Sequence, residues 1–157
     1  MDLGVSLLLA FLMGGIAGLR AMTAPAAVSW AARIGRLHLD GSWLAFLGRS
    51  WAPWLFTALA LIELVTDQLP TTPSRTVPIQ FGGRIVSGAL CGAAIGSAGG
   101  SLGGGILVGV TGAVIGTLGG RAARARLAAA FKNDRPAAFL EDAVAIGGAL
   151  LIVLALP

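Results

Sequence analysis

The sequence predicts an all-α protein, a polytopic integral membrane helix bundle of about six helices that forms a single domain over residues 1–157. Hydrophobic residues make up 56% of the chain and charged residues only 11%, and the mean hydropathy is +0.86. A soluble domain needs more polar side chains to cover its surface. Glycine accounts for 24 of the 157 residues and lies inside apolar runs, where membrane helices tolerate it.

The first apolar run covers residues 3–20, which is long enough to cross a bilayer at about 1.5 Å per residue. We expect this run to be retained as a span, because no basic segment precedes it and no convincing cleavage site follows it. Within it Ala10, Gly14 and Gly18 recur at every fourth position. This spacing predicts a smooth helix face that another backbone can approach closely.

A short second helix is predicted over residues 24–37, with Thr23 as its N-cap and Pro25 in its first turn. The helix is short for a span, so both an oblique crossing and a re-entrant helix fit the pattern. A loop over residues 38–50 follows it.

Four further helices complete the predicted bundle. They cover residues 54–68, 82–98, 106–120 and 143–156, and Pro70 and Pro136 are expected to end the elements that precede them. Glycines recur at every fourth position at 88, 92, 96, 100 and 104, and again at 112, 116 and 120. These rows predict close helix packing.

The basic residues predict the topology. If the short helix crosses the membrane, the loops at 70–80 and 121–137 share one side, which holds Arg75, Arg121, Arg124, Arg126, Lys132 and Arg135. The opposite side holds Arg33, Arg36 and Arg49. By the positive-inside rule the first side is cytoplasmic, and both termini lie on the outer side.

In this six-crossing arrangement the charges near the helix interiors fall toward the cytoplasmic half. They are Arg20, Glu63, Asp67, Arg84, Glu141 and Asp142. A guanidinium beside the free N–H groups of a helix start is suited to bind a phosphate or a carboxylate. We therefore expect Arg20 and Thr23 to bind a negative group, with Arg84 assisting.

The acidic residues are candidates for gating or proton coupling, because a carboxyl group in partly dry surroundings takes up a proton more readily than one in water. This applies to Glu63 and Asp67, and to Glu141 and Asp142. The same residues also fit a structural role. Arg20 then pairs with Asp67 or Glu63 to hold two helices together, and the last two acids only favour a helix start.

Signatures of enzymes are missing from the sequence, which has no phosphate loop, paired-cysteine metal site or nucleophile elbow. No enzyme activity, metal or cofactor is predicted. The acids Glu63 and Asp67 leave a membrane-embedded lipid transferase as a less favoured alternative. Nucleic acid is not a predicted partner of this chain of net charge +4, because the basic residues flank apolar spans rather than alternating with aromatic residues.

Three stretches resemble the bacterial integral membrane proteins grouped as domain of unknown function 4126. They are GLRAMTAPAAVSWAA (18–32), ELVTDQLP (63–70) and GRIVSGA (83–89). The resemblance implies a compact protein of the bacterial inner membrane and supplies no activity.

The predicted function is a small membrane transporter, flippase or channel for an anionic solute or lipid headgroup. The alternative is a structural or accessory membrane protein whose ion pairs only stabilise the bundle. Besides membrane lipids, we expect a second copy as partner, in a homodimer or higher homo-oligomer packed along the glycine faces. The sequence also allows a 3+3 inverted repeat with halves 1–79 and 80–157.

Overall fold

The computed structural model describes residues 1–68 and 76–157, which form six α-helices, one 3-10 helix and no β-strand. The helices are α1 (Leu3–Leu19), α2 (Thr23–Arg33), the 3-10 helix (Trp43–Gly48), α3 (Ala52–Thr66), α4 (Pro78–Ala98), α5 (Leu102–Phe131) and α6 (Asp134–Ala155). The all-α prediction is confirmed for these residues. The predicted interruption at Pro70 and the contribution of Arg75 to the topology lie outside the described residues.

Two helices in the described part of the chain are long and apolar enough to cross a membrane, and they are α5 and α6. The helices α1 and α3 are apolar but shorter. By length and composition α5 and α6 are candidate membrane spans, while membrane insertion and the number of crossings stay predictions.

The predicted basic loop over 121–137 is wrong for most of its length, because α5 continues through it to Phe131. Alanine, arginine and leucine dominate this stretch, and all three favour helix. The helix ends where Lys132 adopts a left-handed conformation with φ of 53°. Pro136 does not end an element but stands in the first turn of α6, where its missing N–H is tolerated.

The short second helix also differs from its prediction over 24–37. It begins at Thr23 and ends at Arg33, so the N-cap is Met22 and not Thr23 as predicted. The Thr23 hydroxyl makes no hydrogen bond within the described residues. The chain turns at Gly35, which has a φ of 82°, and then buries Leu37 and Leu39. Burial of these two leucines takes the chain away from the helix axis.

Successive α-helices run in alternating directions, as contacts at both ends of the bundle show. At one end Arg20, which follows α1, bonds to Asp142 in the N-terminal half of α6. At the other end Arg36, which follows α2, donates to the carbonyl oxygens of Leu154 and Leu156 at 3.1 and 2.9 Å. We call the end that contains Arg20 the charged end. The 3+3 inverted repeat stays a prediction, with α2 of 11 residues and α5 of 30 in equivalent positions.

Glycines line the contacts among α1, α4 and α5. A β-carbon added at these glycines would lie under 3.0 Å from the backbone of a neighbouring helix, and they are Gly14, Gly18, Gly88, Gly92, Gly96, Gly105, Gly109, Gly112 and Gly116. Gly100 instead sits in the turn before α5, with a φ of 81°. These glycine faces thus pack against the chain's own helices, and the homodimer or higher homo-oligomer stays a prediction.

Replacing Gly92 by alanine is expected to lower the free energy of unfolding by about 1–3 kcal/mol, because the new methyl group forces apart two packed helices. Its β-carbon would lie 2.9 Å from the α-carbon of Gly109. Gly119→Ala is the matched control, since a β-carbon there meets no atom within 4 Å. Thermal unfolding in detergent measures both, and equal midpoints would contradict the packing assignment.

Candidate functional site

The site lies at the junction between α1 and α2, where the backbone leaves the helical conformation at Arg20 with φ of −140° and ψ of 110°. A helix end leaves carbonyl groups without partners, and the next helix start leaves N–H groups without partners. Because the junction lies inside the protein, these groups need partners from elsewhere in the chain.

Arg20 is 0% exposed and connects the end of α1 to α3 and α6. Its Nε donates to Oδ1 of Asp142 at 2.7 Å, and its Nη1 donates to Oδ2 of Asp67. Oδ2 of Asp142 also accepts a hydrogen bond from the side-chain Nε2 of Gln68 at 3.4 Å. The arginine that follows α1 thus holds acids from the end of α3 and from α6.

Glu63 fills the start of α2. Its two carboxylate oxygens accept hydrogen bonds from the backbone N–H groups of Ala21 at 2.7 Å and Met22 at 2.8 Å. The sequence led us to expect an external anion beside this helix start. In the structure the protein's own carboxylate occupies the N–H groups just before α2.

Arg84 is 1% exposed and satisfies the end of α1. Its Nη1 donates to the carbonyl oxygens of Gly18 at 2.8 Å and Leu19 at 2.6 Å. Its Nη2 lies 3.8 Å from Oε1 of Glu63 and 3.6 Å from Oδ2 of Asp67. A cation is favourable at a helix C-terminus, where the carbonyl dipoles point outward.

Two hydroxyl groups that the sequence analysis did not single out complete the junction. Ser87 donates to the carbonyl oxygen of Ala21, and Thr117 donates to that of Gly18 at 3.1 Å. Both are small polar residues within apolar glycine-rich helices, and Ser87 lies three residues after Arg84. Residues three apart share one face of a helix, so the position of Ser87 relative to Arg84 is the sequence feature that could have indicated its role.

Glu141 and Asp142 are adjacent in α6 but contact different arginines. Asp142 faces Arg20, whereas the Oε2 of Glu141 lies 3.5 Å from Nη1 of Arg124. Arg124 also donates to both carboxylate oxygens of Asp134, at 2.9 and 2.6 Å. Arg124 was predicted only as a topology signal, and it forms a second ion-pair group toward the end of α5.

Thr23 is buried, and its hydroxyl has no hydrogen-bond partner within the described residues. It lies in the first turn of α2, beside the N–H groups that donate hydrogen bonds to Glu63. Its predicted role in binding a negative group stays a prediction.

We call the five paired residues at the junction the charge cluster: Arg20, Arg84, Glu63, Asp67 and Asp142. Two guanidinium groups face three carboxylates, so the cluster formally carries one negative charge if all are ionised. The arginine side chains are 0 and 1% exposed, whereas those of the three acids are 11 to 13% exposed. The acids therefore form its accessible edge. Within the described residues no group of three or more His, Cys, Asp or Glu side chains is placed to hold a metal ion.

These features define the class as an all-α protein with candidate membrane-spanning helices and a buried ion-pair cluster at one end. The chain belongs to the family described as domain of unknown function (DUF4126), whose family model matches residues 7–157. The resemblance inferred from the sequence is thereby confirmed. No curated protein and no solved structure matches the chain.

Replacing Arg20 by glutamine is expected to lower the free energy of unfolding by about 3–5 kcal/mol, because Asp142 loses its cation and Asp67 keeps only Arg84 in a buried site. Arg126→Gln removes the same charge from an exposed position and should change the stability by less than about 0.5 kcal/mol. Denaturant titration in detergent measures both. Equal stability of the two variants would show that the buried pairs contribute little.

Proposed function

We propose that the protein is a six-crossing membrane protein that acts as a small transporter, flippase or channel for an anionic solute or lipid headgroup. In this proposal the charge cluster is a binding site that the protein's own carboxylates hold closed. It lies at the cytoplasmic side of the bacterial inner membrane.

The distribution of side chains supports a lipid environment. Arg20 and Arg84 are the largest fully buried side chains, while Leu107, Leu151 and Val86 are 67 to 70% exposed. In water such an arrangement would hide charge and expose apolar surface, which soluble proteins avoid. In lipid the same arrangement is favourable, because apolar side chains face the hydrocarbon and charges pair inside.

The alternating helix directions support six crossings. The helix α2 is only about 16 Å long at 1.5 Å per residue, against about 30 Å for the hydrocarbon core. The buried residues Leu37, Leu39 and Leu44 follow α2 in the chain and lie at the end opposite the charge cluster. Helix and buried loop together provide the second crossing.

The carboxylate of Glu63 carries the proposal for anion binding. It accepts hydrogen bonds from two backbone N–H groups and lies beside Arg84. A carboxylate or phosphate substrate would require the same two donors and the same cation. Protonation of Glu63 removes its charge and weakens both hydrogen bonds. The N–H groups of Ala21 and Met22 can then donate to an external anion, which would lie beside the guanidinium of Arg84.

The surplus of carboxylates supports coupling to protons. Uptake of one proton leaves two guanidinium groups facing two carboxylates. A monovalent anion that takes the place of the protonated carboxyl group then returns the cluster to its original net charge of one negative. Because the three acids keep part of their surface exposed, a proton can reach them from the charged end. Anion entry and proton uptake are thus linked through Glu63 and Asp67.

Transport is tested in proteoliposomes loaded with inorganic phosphate and, separately, with a fluorescent phosphatidylglycerol whose flipping is followed by dithionite quenching. We expect the protein to move at least one probe faster than empty vesicles do, and faster still when the charged end faces acid. Glu63→Gln should remove the pH dependence, because the side chain no longer titrates.

The matched control is Asp2→Asn, which removes an acid at the opposite end. Asp2 caps α1 through the N–H groups of Gly4 and Val5, and asparagine caps helices equally well. The control should keep the pH dependence of the native protein. A folded protein that moves neither probe at any pH would contradict the proposed transport.

A structural role is the second candidate, and the complete burial of Arg20 between two acids favours it. In that case the cluster only holds the helix ends together. Its variants then change thermal stability and assembly in detergent, while vesicle flux stays at the level of empty vesicles for every variant.

The topology is tested by cysteine labelling in bacterial cells, in a Cys91→Ala background. We expect Ser50→Cys to react with a membrane-impermeant maleimide in intact cells, and Asn133→Cys to react only after permeabilisation. Both positions are exposed, and the positive-inside rule places Asn133 in the cytoplasm. Labelling of both positions in intact cells would contradict the six-crossing arrangement.

A further inference from the structure

A second polar site lies at the end of the bundle opposite the charge cluster. A pocket of about 420 Å³ opens between the end of α2, the loop that follows it and the 3-10 helix. Its charged or titratable lining residues are Arg33, His38, Asp40 and Arg49. The volume is sufficient for a small polar group.

The walls of the pocket are anchored to the core although its charged side chains are exposed. Leu37 and Leu39, on either side of His38, are buried. Leu44 and Leu47 bury one face of the 3-10 helix. A β-carbon added at Gly48 would lie 3.5 Å from that of Ala32, so this helix packs directly on α2. The pocket is therefore part of the fold.

The arginines of this pocket differ from those of the charge cluster. Within residues 1–68 and 76–157, neither Arg33 nor Arg49 takes part in an ion pair. Asp40 is the one carboxylate that lines the pocket, so the lining is net positive even with His38 neutral. Two unpaired guanidinium groups at one cavity are suited to hydrogen-bond the oxygens of a phosphate.

Exposed aromatic residues surround this end of the bundle. Trp43 in the 3-10 helix is 63% exposed, and Trp51 just before α3 is 50% exposed. Tryptophan concentrates at the depth of lipid headgroups, where its ring is partly apolar and its N–H is wet. In a membrane the pocket would thus lie among phosphate groups.

We propose that this pocket binds a phosphate group through Arg33 and Arg49, taken either from an anionic lipid headgroup or from a free phosphate ion. The proposal concerns a second site and does not depend on transport or on the charge cluster. Arg33 lies at the end of α2, and Arg49 lies just after the 3-10 helix.

The test uses the full chain purified in detergent. Native mass spectrometry counts molecules of phosphatidylglycerol and phosphatidylcholine retained from a mixture of the two, and tryptophan fluorescence follows titration with inorganic phosphate. We expect binding of at least one phosphate probe. The double variant Arg33→Gln/Arg49→Gln should weaken it about tenfold or more, because it removes charged hydrogen-bond donors.

The matched control is Arg126→Gln/Arg135→Gln, which removes the same charge from exposed positions on α5 and α6 and should leave binding unchanged. Asp40→Asn should instead strengthen binding, because it removes the one repelling charge. This variant gives an independent test if the double variant does not fold.

The results separate the two sources of phosphate. Selective retention of phosphatidylglycerol without a response to inorganic phosphate identifies a lipid headgroup, and saturable binding of inorganic phosphate identifies the free ion. The proposal is overturned if the native protein binds neither probe. It is equally overturned if the control weakens binding as much as the pocket variant, or if Asp40→Asn weakens it.

Discussion

The fold depends on satisfying the backbone where α1 breaks before α2. A buried peptide group without a hydrogen-bond partner costs about 1–3 kcal/mol, and several such groups lie together at this junction. Three helices supply the partners: Glu63 from α3, Arg84 and Ser87 from α4, and Thr117 from α5. Asp142 of α6 bonds to the side chain of Arg20 at the same junction. The junction therefore requires these helices in place at once.

The glycine contacts and the charge cluster depend on each other. Thr117 on α5 reaches the carbonyl of Gly18 only because a glycine there lets the helices approach. Close approach of the backbones supplies dispersion contacts. It also shortens the distance that polar side chains must span to reach buried carbonyl groups. A substitution that separates the helices would weaken both kinds of interaction.

The convergence of Arg20 with acids from α3 and α6 could be predicted from the chain, because helix order and span length place helix ends at known sides. Which acid pairs with which arginine within the cluster could not be predicted. Adjacent residues on a helix point about 100° apart, so the rotation of α6 decides that Asp142 meets Arg20 while Glu141 meets Arg124. Similarly, nothing in the pattern indicated that Glu63 would occupy the helix start.

The sequence by itself determined the helical class, the apolar surfaces, the glycine rows and the end of the bundle at which charges gather, since hydropathy and spacing are properties of short windows of chain. Tertiary structure decided which charges pair and that the glycine faces are used within one chain. Those outcomes depend on helix rotation and on backbone distances of a few ångströms. The sequence predicted an open anion site at the junction after α1, and in the structure Glu63 accepts hydrogen bonds from its N–H groups. Arg33 and Arg49, which form no ion pair within the described residues, lie at the opposite end.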